Sequence, residues 1–325
     1  MPGESRRGAL TRRSLLAAAG LAALPASAGV QESSWTDAAR GRTLPLRVRW
    51  PEGPGPWPLV LFSHGLGGSR DGGEAWGQAW REAGCAVIHL QHPGSDTVVW
   101  LQGPTALRGA ASPAQLLNRV ADVHFVLDEV QRRHAAGDGD WRRVRLDAIG
   151  VSGHSFGAQT VAALAGRRYP VAAPGLVDPR PRAFIAFSPA VGPGRLSPAE
   201  QYGGVQRPFM VLTGSLDGDP FGSYATGEPR WRVYDALPPG AKAGLWLDGA
   251  DHMSFGGQGR LLRELGPLGT RDARAVAAEP AHRALIAQVT GRWWRTWLMD
   301  DADARAALRT PEGLGPADRW RLSLR

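Results

Sequence analysis

The chain has 325 residues, 43% of them hydrophobic, and a formal net charge of +8. That is enough for one large α/β domain with a sizeable core, and it excludes wholesale disorder. The positive charge comes from arginines and a single lysine, Lys242, scattered with no basic block of five or more. Such a pattern describes a solvated surface, not a nucleic-acid partner, and allows at most peripheral contact with anionic membranes.

The elements are taken in chain order. Residues 1–28 combine Arg12-Arg13, an apolar run from Leu15 to Leu24 and the small residues Ala26-Ser27-Ala28. Basic region, short apolar region and small-residue cut site predict a signal peptide of the twin-arginine type. The twin-arginine export machinery is then a partner, and the destination is periplasmic or extracellular. Removing residues 1–28 takes away four arginines and one glutamate, so the +8 falls to +5. Residues 29–325 are expected to form one domain. With no other run of eighteen apolar residues, the mature chain is expected to be soluble.

Residues 44–50 alternate, with Leu44, Leu46, Val48 and Trp50 on one side, and predict a strand with one buried face. Leu59-Val60-Leu61-Phe62 reads as a strand buried on both faces. Ala75 to Ala83 predicts a short helix and Ala86 to Leu90 the next strand. Cys85, the only cysteine, excludes an intrachain disulfide, and its place before that apolar run predicts a buried, inert thiol. Residues 91–112 read as a long functional loop with an apolar centre at Val98-Val99-Trp100-Leu101. Ser112-Pro113 predicts a helix start, followed by Leu116, Val120, Val123, Leu127 and Val130 at helical spacing.

Val144 to Val151 predicts a strand, Phe156 to Arg167 a helix, and Ala183 to Phe187 and Phe209 to Thr213 two further strands. Ala243 to Leu247 reads as the last strand, and residues 282–299 as a closing, Trp-rich helix. Strands alternating with helices imply an α/β fold, a mainly parallel sheet covered on both faces.

Gly153-His154-Ser155-Phe156-Gly157 fits the nucleophile-elbow pattern G-x-S-x-G. In so glycine-rich a chain, chance alone supplies about 0.3 such matches. Its context is what counts. An apolar strand runs into it and a helix of small residues leaves it, so that a serine on a sharp turn faces a helix N-terminus. A serine hydroxyl needs a base, and His252, in the loop after the last strand, supplies one. The base needs an acid, and Asp217 lies just past the end of an earlier strand, with Asp219 and Asp251 as alternatives. The order Ser, Asp, His suits an α/β-hydrolase fold. Two backbone N–H groups should bind an oxyanion. Phe156, next after the serine, offers one; Leu66, in the loop Ser63-His64-Gly65-Leu66-Gly67-Gly68, is chosen for the other.

His64, His89, His92 and His154 suggest a metal site only superficially. With no Cys cluster and no HExxH motif, they read as structural, so neither metal nor organic cofactor is expected. Trp100 could line an acyl pocket. The glycine loop lacks the lysine and the spacing of a phosphate-binding loop.

Phe62 through Gly68, Gln91 through Asp96, Arg119 through Glu129, Gly153 through Ala158 and Asp251 through Phe255 together resemble the bacterial platelet-activating-factor acetylhydrolase and dienelactone-hydrolase-like families, from about Trp35 onward. The resemblance implies an α/β-hydrolase fold and hydrolysis of short-chain carboxylic esters, free or lipid, with the amides of Leu66 and Phe156 in the oxyanion hole. Plasma acetylhydrolases take their acid one strand earlier, near Ser188 here, where no carboxylate stands. Dienelactone hydrolases proper use cysteine where this chain has Ser155. A short-chain serine esterase is therefore the expectation. A polyester or cutinase-like hydrolase, and a non-catalytic lipid-binding protein on a hydrolase scaffold, are the alternatives.

Overall fold

A computed structural model describes residues 29–170, 175–220, 222–258 and 271–325. The export segment read in residues 1–28 lies outside them. The fold is α/β, built on a nine-stranded mixed sheet of order β1-β2-β4-β3-β5-β6-β7-β8-β9. Its strands are β1 (Gly29–Asp37), β2 (Arg42–Trp50), β3 (Trp57–Ser63), β4 (Ala86–Leu90), β5 (Val144–His154), β6 (Pro181–Phe187), β7 (Phe209–Leu216), β8 (Lys242–Asp251) and β9 (Arg319–Ser323). The central six, β4-β3-β5-β6-β7-β8, run parallel. The flanking β1, β2 and β9 are antiparallel to their neighbours.

Helices α1 (Glu74–Glu82), α4 (Pro113–Ala135), α5 (Phe156–Ala165), α6 (Pro198–Tyr202) and α7 (Glu228–Ala236) lie in the connections between parallel strands, and α8 (Ala273–Leu298) and α9 (Ala302–Ala307) follow β8. Residues 91–112, expected as a loop, contain two short helices, α2 (Val98–Leu101) and α3 (Pro104–Gly109). Ser112 does cap α4, its side chain accepting from the Gln115 N–H.

Alternate side chains along each parallel strand point to opposite faces. Leu59 and Leu61 join Val120, Val123, Leu127 and Val161 in one core, beneath α4, α5 and α7. Val60 and Phe62 join Trp76, Trp80, Val289, Trp293 and Trp294 in the other, beneath α1 and α8. Cys85 is fully buried in that second core, and burial pushes its thiol up to about 12. Gly150 of β5 has no side chain because the Trp294 ring lies where its Cβ would stand.

Four expectations need correction. Ala243 to Leu247 is not the last strand, since β9 pairs beyond it. No apolar pattern marks strand β1; most of it is exposed, and ladder pairing with β2 holds it in place of an apolar face. Helices α6 and α7 lie in stretches given no element. The closing helix begins at Ala273, not 282, and carries Pro280 inside it, a residue that ordinarily marks a boundary. Lys242 opens β8 at the strand end remote from the loop that carries His252; its Nζ donates to Leu237 O at 2.7 Å.

Candidate active site

Strand β5 delivers Ser155 into a sharp turn, with φ 55° and ψ −112°. This backbone region costs a non-glycine residue about 1–3 kcal/mol and persists only when neighbours hold it. The holding contacts are visible. Ser155 N–H donates to Phe187 O of β6 at 2.9 Å. A Cβ on Gly153 would lie 2.6 Å from the Gly157 carbonyl, and one on Gly157 would collide with Ser63 of β3. Strand, turn and α5 therefore close up only with glycine at both positions.

The turn brings Ser155 against the loops that follow β7 and β8. His252 Nε2 is 2.9 Å from Ser155 Oγ, and His252 Nδ1 is 2.7 Å from Asp217 Oδ1. The three residues come from three strand ends, up to 97 positions apart in sequence. Of the alternative acids, Asp219 accepts the Ser223 N–H, and Asp251 caps the His252 turn through Ser254 and pairs with Arg271 at 2.8 Å. Ser188 follows β6, with φ 52°, and its carbonyl takes Arg230 Nη1 at 2.7 Å.

Asp217 is fully buried. Burial works to raise its carboxyl. The Arg230 guanidinium beside it and the hydrogen bond to His252 outweigh that and hold it below the usual range. Arg230 Nε is 3.0 Å from Oδ1, and Thr213 Oγ1 donates to Oδ2 at 2.8 Å. Arg230 also donates to the carbonyls of Asp217, Ser188 and Gly218. It therefore anchors the Asp217 loop as well as its charge. The His252 loop is pinned from below, where Trp76 Nε1–H donates to Phe255 O at 2.9 Å and His154 Nε2–H to His252 O at 3.0 Å.

The glycine loop after β3 lies beside the serine. Gly67 N–H donates to Ser95 O at 2.9 Å and Gly68 N–H to Gly65 O at 3.1 Å. Among the described residues, no backbone partner takes the Leu66 N–H between Gly65 and Gly67. Phe156 is the first residue of α5, where the helix supplies no acceptor for its N–H.

Beneath these two amides lies a network that reasoning on the sequence missed. Arg119 of α4 is fully buried. Its Nη1 donates to Ser95 Oγ at 2.9 Å and its Nη2 to Ser63 Oγ at 3.0 Å and to His64 O. Its Nε donates to Thr160 Oγ1 of α5 at 3.2 Å, and its guanidinium lies 4.7 Å from the centre of the Phe156 ring. One cation thus holds both the loop of Leu66 and the start of α5. Ser63 continues the chain to His92 Nε2 at 3.0 Å, and His92 Nδ1 lies 3.0 Å from Asp122, which Arg42 binds through two nitrogens at 2.9 Å.

The sequence did carry a signal for this network. Arg119 and Asp122, three apart, interrupt the apolar stripe of α4. Burial, aided by the charge of Arg119, lowers His92 to about 4 and His64 well below its ordinary value. Burial with Arg49 lowers His89 to about 3, and burial with His252 lowers His154 well below its ordinary value. All four histidines suggested as metal ligands are thus held neutral, each bonded to protein groups. Among the described residues no cluster of three or more His, Cys, Asp or Glu is placed to hold a metal.

Two cavities meet at Ser155 and share Leu66 and Pro220. The smaller, about 80 Å³, is lined by Trp100, Leu107, Met253 and the glycine loop. Trp100 is fixed there by donating Nε1–H to Gly67 O at 2.9 Å. The larger, about 500 Å³, extends along α5 past Gln159 to Arg167, Tyr169 and Gln201. No protein-family model matches the chain, and no curated protein matches it.

Proposed function

We propose that this chain is a serine carboxylic-ester hydrolase of the α/β-hydrolase fold, with Ser155 as nucleophile, His252 as base and Asp217 as acid. The observation that carries this reading is the unbroken relay from Asp217 Oδ1 through the His252 ring to Ser155 Oγ. The run of six parallel strands supports it, with the three residues on loops in the order Ser, Asp, His.

In this reading Ser155 Oγ adds to the ester carbonyl carbon while His252 Nε2 takes its proton. His252 Nδ1–H donates to Asp217, whose lowered pKa keeps it ionised to balance the imidazolium. The carbonyl oxygen, now an anion, accepts from the Leu66 and Phe156 amides. The tetrahedral centre collapses, the C–O bond to the alcohol breaks, and His252 returns the proton to the departing oxygen. Water then attacks the acyl-serine, His252 takes its proton, and the acid leaves as Ser155 recovers its hydrogen. The smaller cavity suits a short acyl group, since a single water needs about 10–15 Å³ of the same measure.

Ser155→Ala should fold normally and lose hydrolysis of p-nitrophenyl acetate by about 10⁵-fold. A fluorophosphonate should label the parent at Ser155 and leave the variant unlabelled. Retained turnover in Ser155→Ala overturns the reading. The proposal includes export on the strength of Arg12-Arg13 and the apolar run behind them. Replacing both arginines by lysine should leave the protein in the cytoplasmic fraction.

A further inference from the structure

The larger cavity holds a buried cation that the proposed chemistry does not use. Among the described residues four arginines are buried: Arg49, Arg119, Arg167 and Arg230. Arg49 and Arg230 face Glu74 and Asp217. Arg119 uses all three of its nitrogens. Arg167 does neither. It is 7% exposed and forms no ion pair among the described residues. Every group it touches is neutral: Gln159 Oε1, Ala190 O at 3.3 Å and Gln201 Oε1 at 2.7 Å. The rings of Tyr169 and Tyr202 flank it at 5.0 and 5.3 Å. Its Nε, though buried, has no hydrogen-bond partner, and neither has the buried Tyr169 hydroxyl.

A guanidinium taken out of water without a counter-charge is costly. A purely structural arginine tying α5 to the 190–201 segment would be served by Nη1 and Nη2. It would not require a second idle donor beside it. Arg167 and Tyr169 both line the cavity that opens on Ser155. Gln201 cannot turn to assist, because its amide nitrogen is held by Gly192 O and Leu196 O. Asp219 also lines the cavity, and its Oδ2 takes the Ser223 N–H.

We infer that Arg167, with the Tyr169 hydroxyl, forms an anion subsite, and that the preferred substrate is a short-acyl ester whose alcohol portion carries a carboxylate or phosphate. The inference rests on the ester-hydrolase reading. The short acyl group occupies the smaller cavity, and the alcohol portion lies along α5 with its anionic group against the wall that Arg167 and Tyr169 form in the larger cavity.

The test compares phenyl acetate, 3-acetoxybenzoate and 3-acetoxyphenyl phosphate, which share an acyl group and differ in charge. The parent should favour at least one anionic ester over phenyl acetate in kcat/KM, and the favoured one tells carboxylate from phosphate. In Arg167→Met the anionic-to-neutral ratio should fall about tenfold, chiefly through KM, with Arg167→Lys restoring part of it. Tyr169→Phe, which deletes only an unpartnered hydroxyl, should lower the ratio two- to threefold. Equal ratios in parent and variants overturn the subsite, as does a parent with no anionic preference. A separate measurement needs no turnover. Benzoate or phenyl phosphate should raise the Tm of Ser155→Ala and should not raise that of Ser155→Ala with Arg167→Met. If no ester is cleaved but this difference persists, the hydrolase reading fails and the anion site stands; its absence overturns the site.

Discussion

Two buried arginines contact α5, one near its start and one just past its end, and they are satisfied very differently. Arg119 spends every nitrogen on Ser63, Ser95, His64 and Thr160, and its network ends in Asp122. Arg167, beyond the far end of the helix, meets only neutral oxygens and leaves Nε idle. The contrast separates two uses of one side chain. A saturated cation fixes backbone geometry; an unsaturated one keeps binding capacity for something that arrives later.

The largest effect should come from breaking the saturated side. Arg119→Met leaves Ser63, Ser95 and the His64 carbonyl without their donor in a sealed interior. It should cost about 3 kcal/mol or more of stability, read as a lower urea midpoint. Where the variant still folds, kcat should drop about 100-fold with KM little changed, because both amides proposed to face the oxyanion lose their common support. An unchanged kcat would show that the loop and α5 hold their positions unaided.

Acid sharpens the same contrast, at a somewhat smaller scale for each histidine involved. His92 and His89 are neutral in the fold, lowered to about 4 and about 3, whereas the unfolded chain protonates histidine near 6.5. Between those values the unfolded state holds more protons, so stability is full above about pH 6.5 and falls as pH drops toward 4. Each such histidine contributes a slope of about 1.4 kcal/mol per pH unit. Urea midpoints measured from pH 7.5 to 4.5 should show the decline, and His92→Asn should flatten it. Arg167→Met should keep the parent's slope, since its bonded partners do not titrate.

The smallest effect is expected at the unsaturated cation itself. Arg167→Met loses a few neutral hydrogen bonds but relieves an uncompensated buried charge. Its stability should stay within about 1 kcal/mol of the parent's, in either direction. A loss comparable to that of Arg119→Met would erase the distinction between the two arginines.

Much of the fold can be read before any coordinates. Leu59–Phe62 and Ala86–Leu90 announce themselves because strands buried on both faces must be continuously apolar. Strands β1 and β9 stay hidden for the opposite reason. Both lie at sheet edges, β1 largely exposed and β9 at most half-buried, so pairing with β2 and β8 determines them more than composition does. At the site, Ser155, Asp217 and His252 are legible from motif and chain order. Arg230, Arg167 and Arg119 are not, since each acquires its role through contacts with groups brought close only by folding. Arg119 alone left a trace, as a charge on the apolar stripe of α4.

The lone lysine offers a practical handle. Lys242 sits at the start of β8, about 30 Å of strand from the end that leads to His252. Burial lowers its ammonium below the ordinary range. With the chain's α-amine blocked, amine-directed coupling therefore meets one lysine side chain, at the end of β8 remote from the His252 loop. Protein attached to a support through it would share one orientation, with Ser155 turned toward the solution.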